Sequence, residues 1–253
     1  MRFVAVGSGS RGNATLIEAG DTRLLLDCGF SLREIEARLG RLDVEPASLA
    51  GIVVTHEHGD HIAGIAPVAR RYRLPVWTTP GTWRAAGCPD GVEVRLFVGH
   101  GRGFRVGGIK LHPVPVPHDA REPCQFVVEG DGHRLGILTD TGTVTARIRE
   151  HLRGCDALIL ETNHDRDMLR SGPYPPALRA RVGGAFGHLS NAQAADLLDG
   201  LDHEHLRHLM LAHLSEHNNR PELARAAVCA VSADLEPRLS VAAQGHCGDW
   251  IGL

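Results

Sequence analysis

Three histidines and an aspartate stand close together between positions 51 and 61. His56 and His58 follow a short apolar run rich in β-branched residues, and Asp60 and His61 come after Gly59. Residues two apart in extended backbone point to the same side, so His56 and His58 can face one point. Imidazole nitrogens and carboxylate oxygens suit Zn²⁺ or Mn²⁺. The pattern predicts a buried strand and a turn that present two ligand pairs, enough for two metal ions.

The segment after this turn is predicted to be helical from Ile62 to Arg73, with Asp60 as its N-cap. A histidine-rich surface loop, or histidines buried in a core, is the alternative explanation. That alternative accounts for one histidine more readily than for four ligand-type residues at one turn.

Other ligand-type residues each follow an apolar run that reads as a strand. They are His118, Asp140, Glu161 and His213. His112 competes with His118, because six extended residues span about 20 Å and only one of the two histidines can reach the same point. Asp140 is also in a position to cap a helix. If these strands end at one edge of a sheet, their polar tips meet there.

The segment Gly7-Ser8-Gly9-Ser10-Arg11-Gly12 matches the glycine pattern of dinucleotide-binding proteins. That pattern requires a following helix. Residues 15–18 and 23–27 instead predict a β-hairpin, so we reject a dinucleotide site. The loop is then a glycine-rich turn or part of a site rim that offers hydrogen bonds to a substrate.

The composition places bounds on the class of protein. A chain of 253 residues with 43% hydrophobic residues suits one α/β domain over residues 1–253. The net charge of -3 gives no overall basic character, so a nucleic-acid ligand needs a local patch. Such a patch is available in the arginine-rich segment 166–181, although a solvated charged face explains that segment equally well.

The six cysteines form no CxxC pair, which favours a reducing cytoplasm over a disulfide framework or zinc ribbon. We expect no signal peptide, because Met1 leads directly into a strand. No apolar run approaches the length of a membrane span, so we expect no membrane partner.

His188 precedes a predicted helix from Ala192 to Leu201, with Ser190 or Asn191 as its N-cap. The start of a helix attracts anions.

The segment 202–208 repeats part of the histidine pattern. It lacks the closing acid and glycine, and a strand of about 26 Å separates His205 from His213. We expect it at the opposite end of the molecule.

The segment from His56 to His61 resembles the HxHxDH signature of the metallo-β-lactamase fold. Further segments are similar to the YycJ/WalJ group of compact bacterial exonucleases within that fold: residues 7–13, 117–120, 139–142, 161–165 and 212–219. Segments 187–191 and 213–215 also look like parts of the tRNase Z and RNase J branch. The resemblance implies a four-layer αββα sandwich of two mixed β-sheets flanked by helices.

The same resemblance implies a ligand set for two Zn or Mn ions. His56, His58 and His118 would hold one ion, and Asp60, His61 and His213 the other. Asp140 would bridge the two ions. The resemblance therefore favours His118 over His112 as the third histidine ligand, and it favours Asp140 as a metal ligand over Asp140 as a helix cap. Asp27 would steady the metal-binding loop from the second layer around the metals.

The expected activity is hydrolysis of a phosphodiester by metal-activated water, with Asp60, His188 and Glu161 as catalytic residues. The resemblance points to a 5′→3′ exonuclease acting on DNA. Expected substrate contacts are Ser8, Asn13, His164, Ser190, Asn191 and His217. Two alternatives stay open: hydrolysis of a small phosphodiester, cyclic phosphate or thioester, and a non-catalytic metal-binding regulatory module.

Overall fold

The computed structural model describes residues 1–201 and 203–253, so Asp202 of the histidine-rich segment 202–208 lies outside the described residues. The strands are β1 (Arg2–Gly7), β2 (Ala14–Ala19), β3 (Thr22–Leu26), β4 (Gly51–Val53), β5 (Val76–Thr78), β6 (Val94–Leu96), β7 (Phe104–Val106), β8 (Ile109–Pro115), β9 (Cys124–Gly130), β10 (His133–Leu138), β11 (Ala157–Glu161), β12 (His208–Ala212), β13 (Leu239–Val241) and β14 (Ile251–Gly252).

The α-helices are α1 (Leu32–Gly40), α2 (Gly59–Ile62), α3 (Ile65–Tyr72), α4 (Pro80–Ala85), α5 (Ala146–Leu152), α6 (Arg166–Ser171), α7 (Pro176–Val182), α8 (Asn191–Asp199) and α9 (Pro221–Cys229). Short 3₁₀ helices lie at Pro46–Ser48 and Ala233–Arg238. Among the residues that the structure describes, no helix has both the length and the apolar character needed to cross a bilayer.

The strands form two mixed seven-stranded sheets. The first has the order β14-β1-β2-β3-β4-β5-β6, with β3 to β6 parallel. The second has the order β13-β12-β11-β10-β9-β8-β7, with β10 to β13 parallel. Because β8 and β10 both pair antiparallel with β9, the strands β8, β10, β11 and β12 end at one edge of their sheet.

The central strands of each sheet bury both of their faces, with successive side chains pointing to opposite sides. On β1, Phe3 packs between the sheets and Val4 packs outside them. On β11, Ile159 and Leu158 divide in the same way. The outer side chains pack against α1 and α3 on the first sheet, and against α5, α8 and α9 on the second. The predicted four-layer αββα sandwich is therefore confirmed.

In place of the single helix predicted from Ile62 to Arg73, the structure has α2 ending at Ile62 and α3 running from Ile65 to Tyr72. They break near Gly64, whose N–H donates to the carbonyl of Cys28 at 2.8 Å. A Cβ at Gly64 would lie 1.9 Å from the carbonyl oxygen of Phe30, so the loop 28–30 passes directly against the break. The prediction of Asp60 as N-cap is wrong, because α2 begins one residue earlier and His58 occupies the cap position.

Candidate metal centre

The predicted ligand side chains come together at one edge of the sandwich. His56, His58, Asp60 and His61 lie between the end of β4 and the end of α2. The others follow strands of the second sheet: His118 comes after β8, Asp140 after β10 and His213 after β12. Potential ligand atoms form several groups within which all atoms lie within 4.8 Å of one another.

One donor group consists of three imidazoles. His58 Nδ1 lies 3.1 Å from His56 Nε2 and 3.2 Å from His118 Nε2. Burial lowers the pKa of both His56 and His118, so it favours neutral rings with free lone pairs. His112, the competing candidate, lies on β8 with its Nε2 3.0 Å from Glu129 Oε2. It contributes to none of the donor groups found among the described residues.

A second donor group contains Asp60, His61 and His213. Asp60 Oδ2 lies 3.5 Å from His61 Nε2 and 3.7 Å from His213 Nε2. Asp140 lies between the two groups: its Oδ2 is 3.4 Å from His61 Nε2, and its Oδ1 is 4.0 Å from His118 Nε2. A single buried carboxylate thus faces ligand atoms from both groups.

The donor atoms fit divalent metal ions. Ligand atoms bound tetrahedrally at about 2.0–2.2 Å lie about 3.3–3.6 Å from one another, close to the separations observed. In the part of the chain that the structure describes, Asp140 Oδ2 and His213 Nε2 are buried without a hydrogen-bond partner. Burial would lower the pKa of His213, but Asp140, Asp60 and Glu161 raise it to about 10. The site therefore attracts positive charge, and the fold and the donor groups together indicate divalent metal binding.

Three buried residues of the site adopt left-handed backbone. Asp27, Asp140 and His213 have φ values of 59°, 54° and 56°. Each lies just after a strand, where the sharp change of direction turns the side chain toward the rim. This conformation is disfavoured for side chains other than glycine and persists when surrounding contacts enforce it.

Asp27 holds the histidine-rich turn in place. Its Oδ1 accepts the N–H of Thr55, and its Oδ2 accepts the Thr55 hydroxyl and lies 2.8 Å from His61 Nδ1. The imidazole of His61 is therefore oriented with Nε2 toward the donor groups. Thr55 Oγ1 also lies 2.9 Å from His56 Nδ1, so one threonine positions two candidate ligands.

Glu161 has the corresponding position in the second sheet and is fully buried. Its Oε2 accepts the N–H groups of Thr141 and Leu189, and its Oε1 lies 2.8 Å from His188 Nδ1 and 3.0 Å from His213 Nδ1. Burial would raise the pKa of Glu161, but His188 and His213 lower it to about 2. This carboxylate is ionised and orients both imidazoles.

Two of the expected substrate contacts lie beneath the site. Ser8 is buried and its hydroxyl accepts the backbone N–H of His213 at 2.8 Å. Asn13 is buried, and its Nδ2 lies 3.1 Å from Asp60 Oδ2 and 3.0 Å from His61 Nε2. The glycine-rich loop therefore supports the candidate ligands through these two residues, and Ser10 is the member that lines the cleft.

The expected contacts near α8 are also buried. Ser190 caps α8 through a capping box with Gln193. Asn191 donates to Asn219 Oδ1 at 2.9 Å. His164 is buried, which lowers the pKa of its ring to about 4. His217 is exposed, and its ring centre lies 5.9 Å from that of Tyr174. Among these residues, only His217 has the exposure expected of a direct substrate contact.

The structure gives four further residues a positioning role that was not predicted. Thr55 supports two histidines, as described, and Asn163 donates to the carbonyl of His213 at 2.9 Å. His58 Nε2 lies 3.3 Å from the carbonyl oxygen of Asp119, and Arg181 forms an ion pair with the Asp119 carboxylate. Asp119 and Asn163 lie in segments that resemble the family, and Arg181 lies in the arginine-rich segment, but their contacts with the site depend on the tertiary structure.

The donor groups open into a cleft of about 360 Å³. Its walls include Asp60, Asp140 and His188 on the metal side and Leu178 and Arg181 of α7 opposite them. The cleft therefore brings a polar, metal-binding floor next to a helix that carries a positive charge.

Comparison with known proteins identifies the family. The model of the beta-lactamase superfamily domain matches residues 22–214. The chain is 36% identical over 236 residues to Exodeoxyribonuclease YycJ of Bacillus anthracis, covering 91% of this chain and 89% of that protein. It is 34% identical over 229 residues to Exodeoxyribonuclease WalJ of Streptococcus pneumoniae, covering 88% of this chain and 85% of that protein.

A solved structure shares the same architecture. The metallo-β-lactamase fold protein YhfI from Bacillus subtilis superposes with a TM-score of 0.75 at 18% identity, covering 98% of each chain. At this identity the likeness concerns the fold alone. The chain belongs to the metallo-β-lactamase superfamily, in the group that contains the YycJ and WalJ proteins.

Proposed function

We propose that the protein is a metal-dependent phosphodiesterase that degrades nucleic acid, and specifically a 5′→3′ DNA exonuclease. The observation that carries this proposal is the pair of donor groups joined by Asp140, in a chain closely related to proteins named exodeoxyribonuclease. Adjacent metal sites of this kind serve phosphoryl transfer, where both the attacking and the leaving oxygen need stabilisation.

We assign one divalent ion to His56, His58 and His118, and a second to Asp60, His61 and His213, with Asp140 between them. Among the described residues, five carboxylates lie in or directly against the centre: Asp27, Asp60, Asp119, Asp140 and Glu161. Asp119 is paired with Arg181, and the four remaining negative charges match the charge of two divalent cations. Nitrogen and oxygen donors without a thiolate favour Zn²⁺ or Mn²⁺ over softer metals.

When bound, such ions lower the pKa of a water molecule and stabilise the charge on the phosphoryl oxygens. Asp60 faces the cleft, and we assign it the orientation of the attacking water. Glu161 accepts the Nδ1–H of His188, which leaves Nε2 as the ring nitrogen available to the cleft. We assign His188 Nε2 the donation of a proton to the leaving oxygen.

The decisive experiment is digestion of end-labelled single- and double-stranded DNA and RNA with Mn²⁺ or Zn²⁺. We expect stepwise release of nucleotides from the 5′ end of DNA and loss of that activity in Asp60→Ala. A preference for RNA would leave the phosphodiesterase activity as proposed, but the substrate would then be RNA and not DNA. Purified protein that cleaves no nucleic acid with any divalent metal would overturn the proposal.

A hydrolase of a small phosphodiester, cyclic phosphate or thioester is less well supported, because the close relatives carry nuclease names. Competition separates the two functions: DNA should inhibit hydrolysis of bis-(p-nitrophenyl) phosphate strongly if DNA is the substrate. A non-catalytic module is disfavoured by the complete donor set. Metal analysis that found less than one ion per chain would favour it again.

We further infer that residues 1–253 form one domain, because both sheets contribute to one core between them. We also infer that the protein acts in the cytoplasm. All six cysteines are free thiols, as expected in a reducing compartment.

A further inference from the structure

A second cavity, of about 580 Å³, lies on the far side of α7 from the metal cleft. Leu178, Arg181 and Val182 of this segment line the metal cleft. Arg179 and Ala180 line the second cavity. Residues three and four apart share one face of a helix, so α7 is a wall between the two spaces. A helix with its side chains is about 10–12 Å thick, which sets the distance between them.

Three arginines line this cavity: Arg166, Arg170 and Arg179. No aspartate or glutamate is among the lining residues found in the described part of the chain. We name the cavity the arginine pocket. Its lining also includes His164, which is 3% exposed and whose buried Nδ1 has no hydrogen-bond partner within residues 1–201 and 203–253.

The three guanidinium groups keep donors free for a ligand. Arg166 Nε donates to the Ser190 hydroxyl at 3.3 Å, and Arg179 donates to the carbonyl oxygen of Arg170. Arg170 pairs with Asp167, but both side chains are about 80% exposed, and such pairs contribute little. Since each guanidinium has five N–H donors, most donors remain available.

Arg181 differs from these three arginines. It faces the metal cleft and forms an ion pair with Asp119, whose carbonyl oxygen lies next to His58. The arginines of segment 166–181 therefore divide into one that supports the metal loop and three that form a separate positive pocket. A uniformly solvated charged face would not show this division.

Building on the proposed function, we propose that the arginine pocket binds a phosphate group of the nucleic-acid strand whose scissile bond lies in the metal cleft. Arginine suits phosphate because its planar fork donates two parallel hydrogen bonds. The ligand is either the terminal 5′-phosphate or a backbone phosphate of the same strand. A strand that crosses α7 would then be held on both sides of the helix.

The test uses the metal-loaded protein and the variant Arg170→Gln/Arg179→Gln. Arg33→Gln/Arg71→Gln is the matched control, because it removes the same charge from α1 and α3 on the outer face of the first sheet. Binding is measured by fluorescence anisotropy with a labelled oligonucleotide whose phosphorothioate linkages resist cleavage. Thermal unfolding checks that both variants fold.

We expect the pocket variant to raise Kd about tenfold at about 50 mM salt, and to flatten the slope of log K against log salt by about one unit. The control should change neither quantity by more than about twofold. Hydrolysis of bis-(p-nitrophenyl) phosphate should stay unchanged, since this substrate is too small to reach across α7. Arg170→Lys/Arg179→Lys should give an intermediate Kd.

Oligonucleotides with 5′-phosphate and 5′-hydroxyl ends identify the source of the phosphate. A terminal phosphate predicts that the variant loses affinity only for the phosphorylated end, and a backbone phosphate predicts an equal loss for both. If the pocket variant and the control variant have the same Kd and the same salt slope, the arginine pocket does not bind phosphate. The proposed nuclease activity is unaffected by that result. Loss of binding in a protein that cleaves no nucleic acid would instead refute the proposed function alone.

Discussion

The two sheets supply the metal centre in different ways. The first sheet contributes four candidate ligands from one turn of six residues, His56 to His61. The second contributes His118, Asp140 and His213, which are separated along the chain and meet because their strands end at one edge. Local backbone geometry therefore suffices for the first half, whereas the second half depends on the whole sheet being correctly assembled.

Each half is also held by its own buried carboxylate. Asp27 accepts both hydrogen bonds of Thr55 and lies against His61. Glu161 accepts two backbone N–H groups and lies against His188 and His213. Only Glu161 contacts an imidazole that we assign to the chemistry as well as a candidate ligand. Each half thus has a buried carboxylate that orients its imidazoles. Loss of Glu161 should affect catalysis more directly, because Glu161 also contacts His188.

The strongest disruption should come from Asp140→Ala, because Asp140 faces ligand atoms of both halves. We expect nuclease activity to fall by at least about 10³-fold, since metal ions supply several kcal/mol of transition-state stabilisation. Metal analysis should find fewer ions per chain than in the unaltered protein. Full metal content with full activity would show that the two halves do not depend on Asp140.

His188→Ala should separate chemistry from metal binding within the second half. We expect cleavage of DNA to fall about 10²–10³-fold, within the range for loss of a general acid. Hydrolysis of bis-(p-nitrophenyl) phosphate should fall much less, because its leaving group departs without protonation. Metal content should be unchanged. Equal losses on both substrates, or loss of metal, would assign His188 to the ligand set instead.

Glu161, the buried carboxylate of the second half, should make the stability of the metal-free protein depend on pH in the acid range. The pKa of Glu161 is lowered from 4.5 to about 2, so ionised Glu161 stabilises the fold above about pH 4.5. That stabilisation, about 3 kcal/mol at most by the size of the shift, is lost as the pH falls toward 2.

The measurement compares urea unfolding of metal-free protein and Glu161→Gln between about pH 5 and 2.5. The difference in unfolding free energy should shrink as the pH falls, because only the unaltered protein has this carboxylate to protonate. A difference that stays constant over this range would contradict the assignment of Glu161 as an ionised anchor.

Asp27→Asn tests the anchor of the first half and should have the smallest effect. We expect about 10–100-fold weaker binding at the site that contains His61, which is typical when a hydrogen-bond partner of a metal ligand is altered. The group of His56, His58 and His118 should keep its ion, so metal titration should show one weakened site. Equal weakening of both sites would mean that Asp27 acts mainly through Thr55, which also contacts His56, and not through its own contact with His61.

Much of the architecture could be predicted from the sequence, because strands buried on both faces read as continuous apolar runs. The hairpin of β2 and β3 and the helix α8 followed from local patterns, whereas the structure chose Ser190 over Asn191 as the cap of α8. The break between α2 and α3 did not follow from a local pattern. It lies at Gly64, where the loop 28–30, distant in the chain, packs too closely for any side chain. The burial of Ser8, Asn13 and Asn191 could not be predicted from the sequence either, because polar residue types alone predict exposure.

The chemistry of the site can be read from the order of the residues: the ligand types, their spacing in the turn from His56 to His61, and the apolar runs that precede the remaining candidates. These are local properties, fixed by neighbouring residues. The partners that orient each imidazole, and the separation of Arg181 from the arginine pocket by α7, depend on the folded chain. Such relations join residues far apart in the chain, and their distances depend on how the two sheets pack.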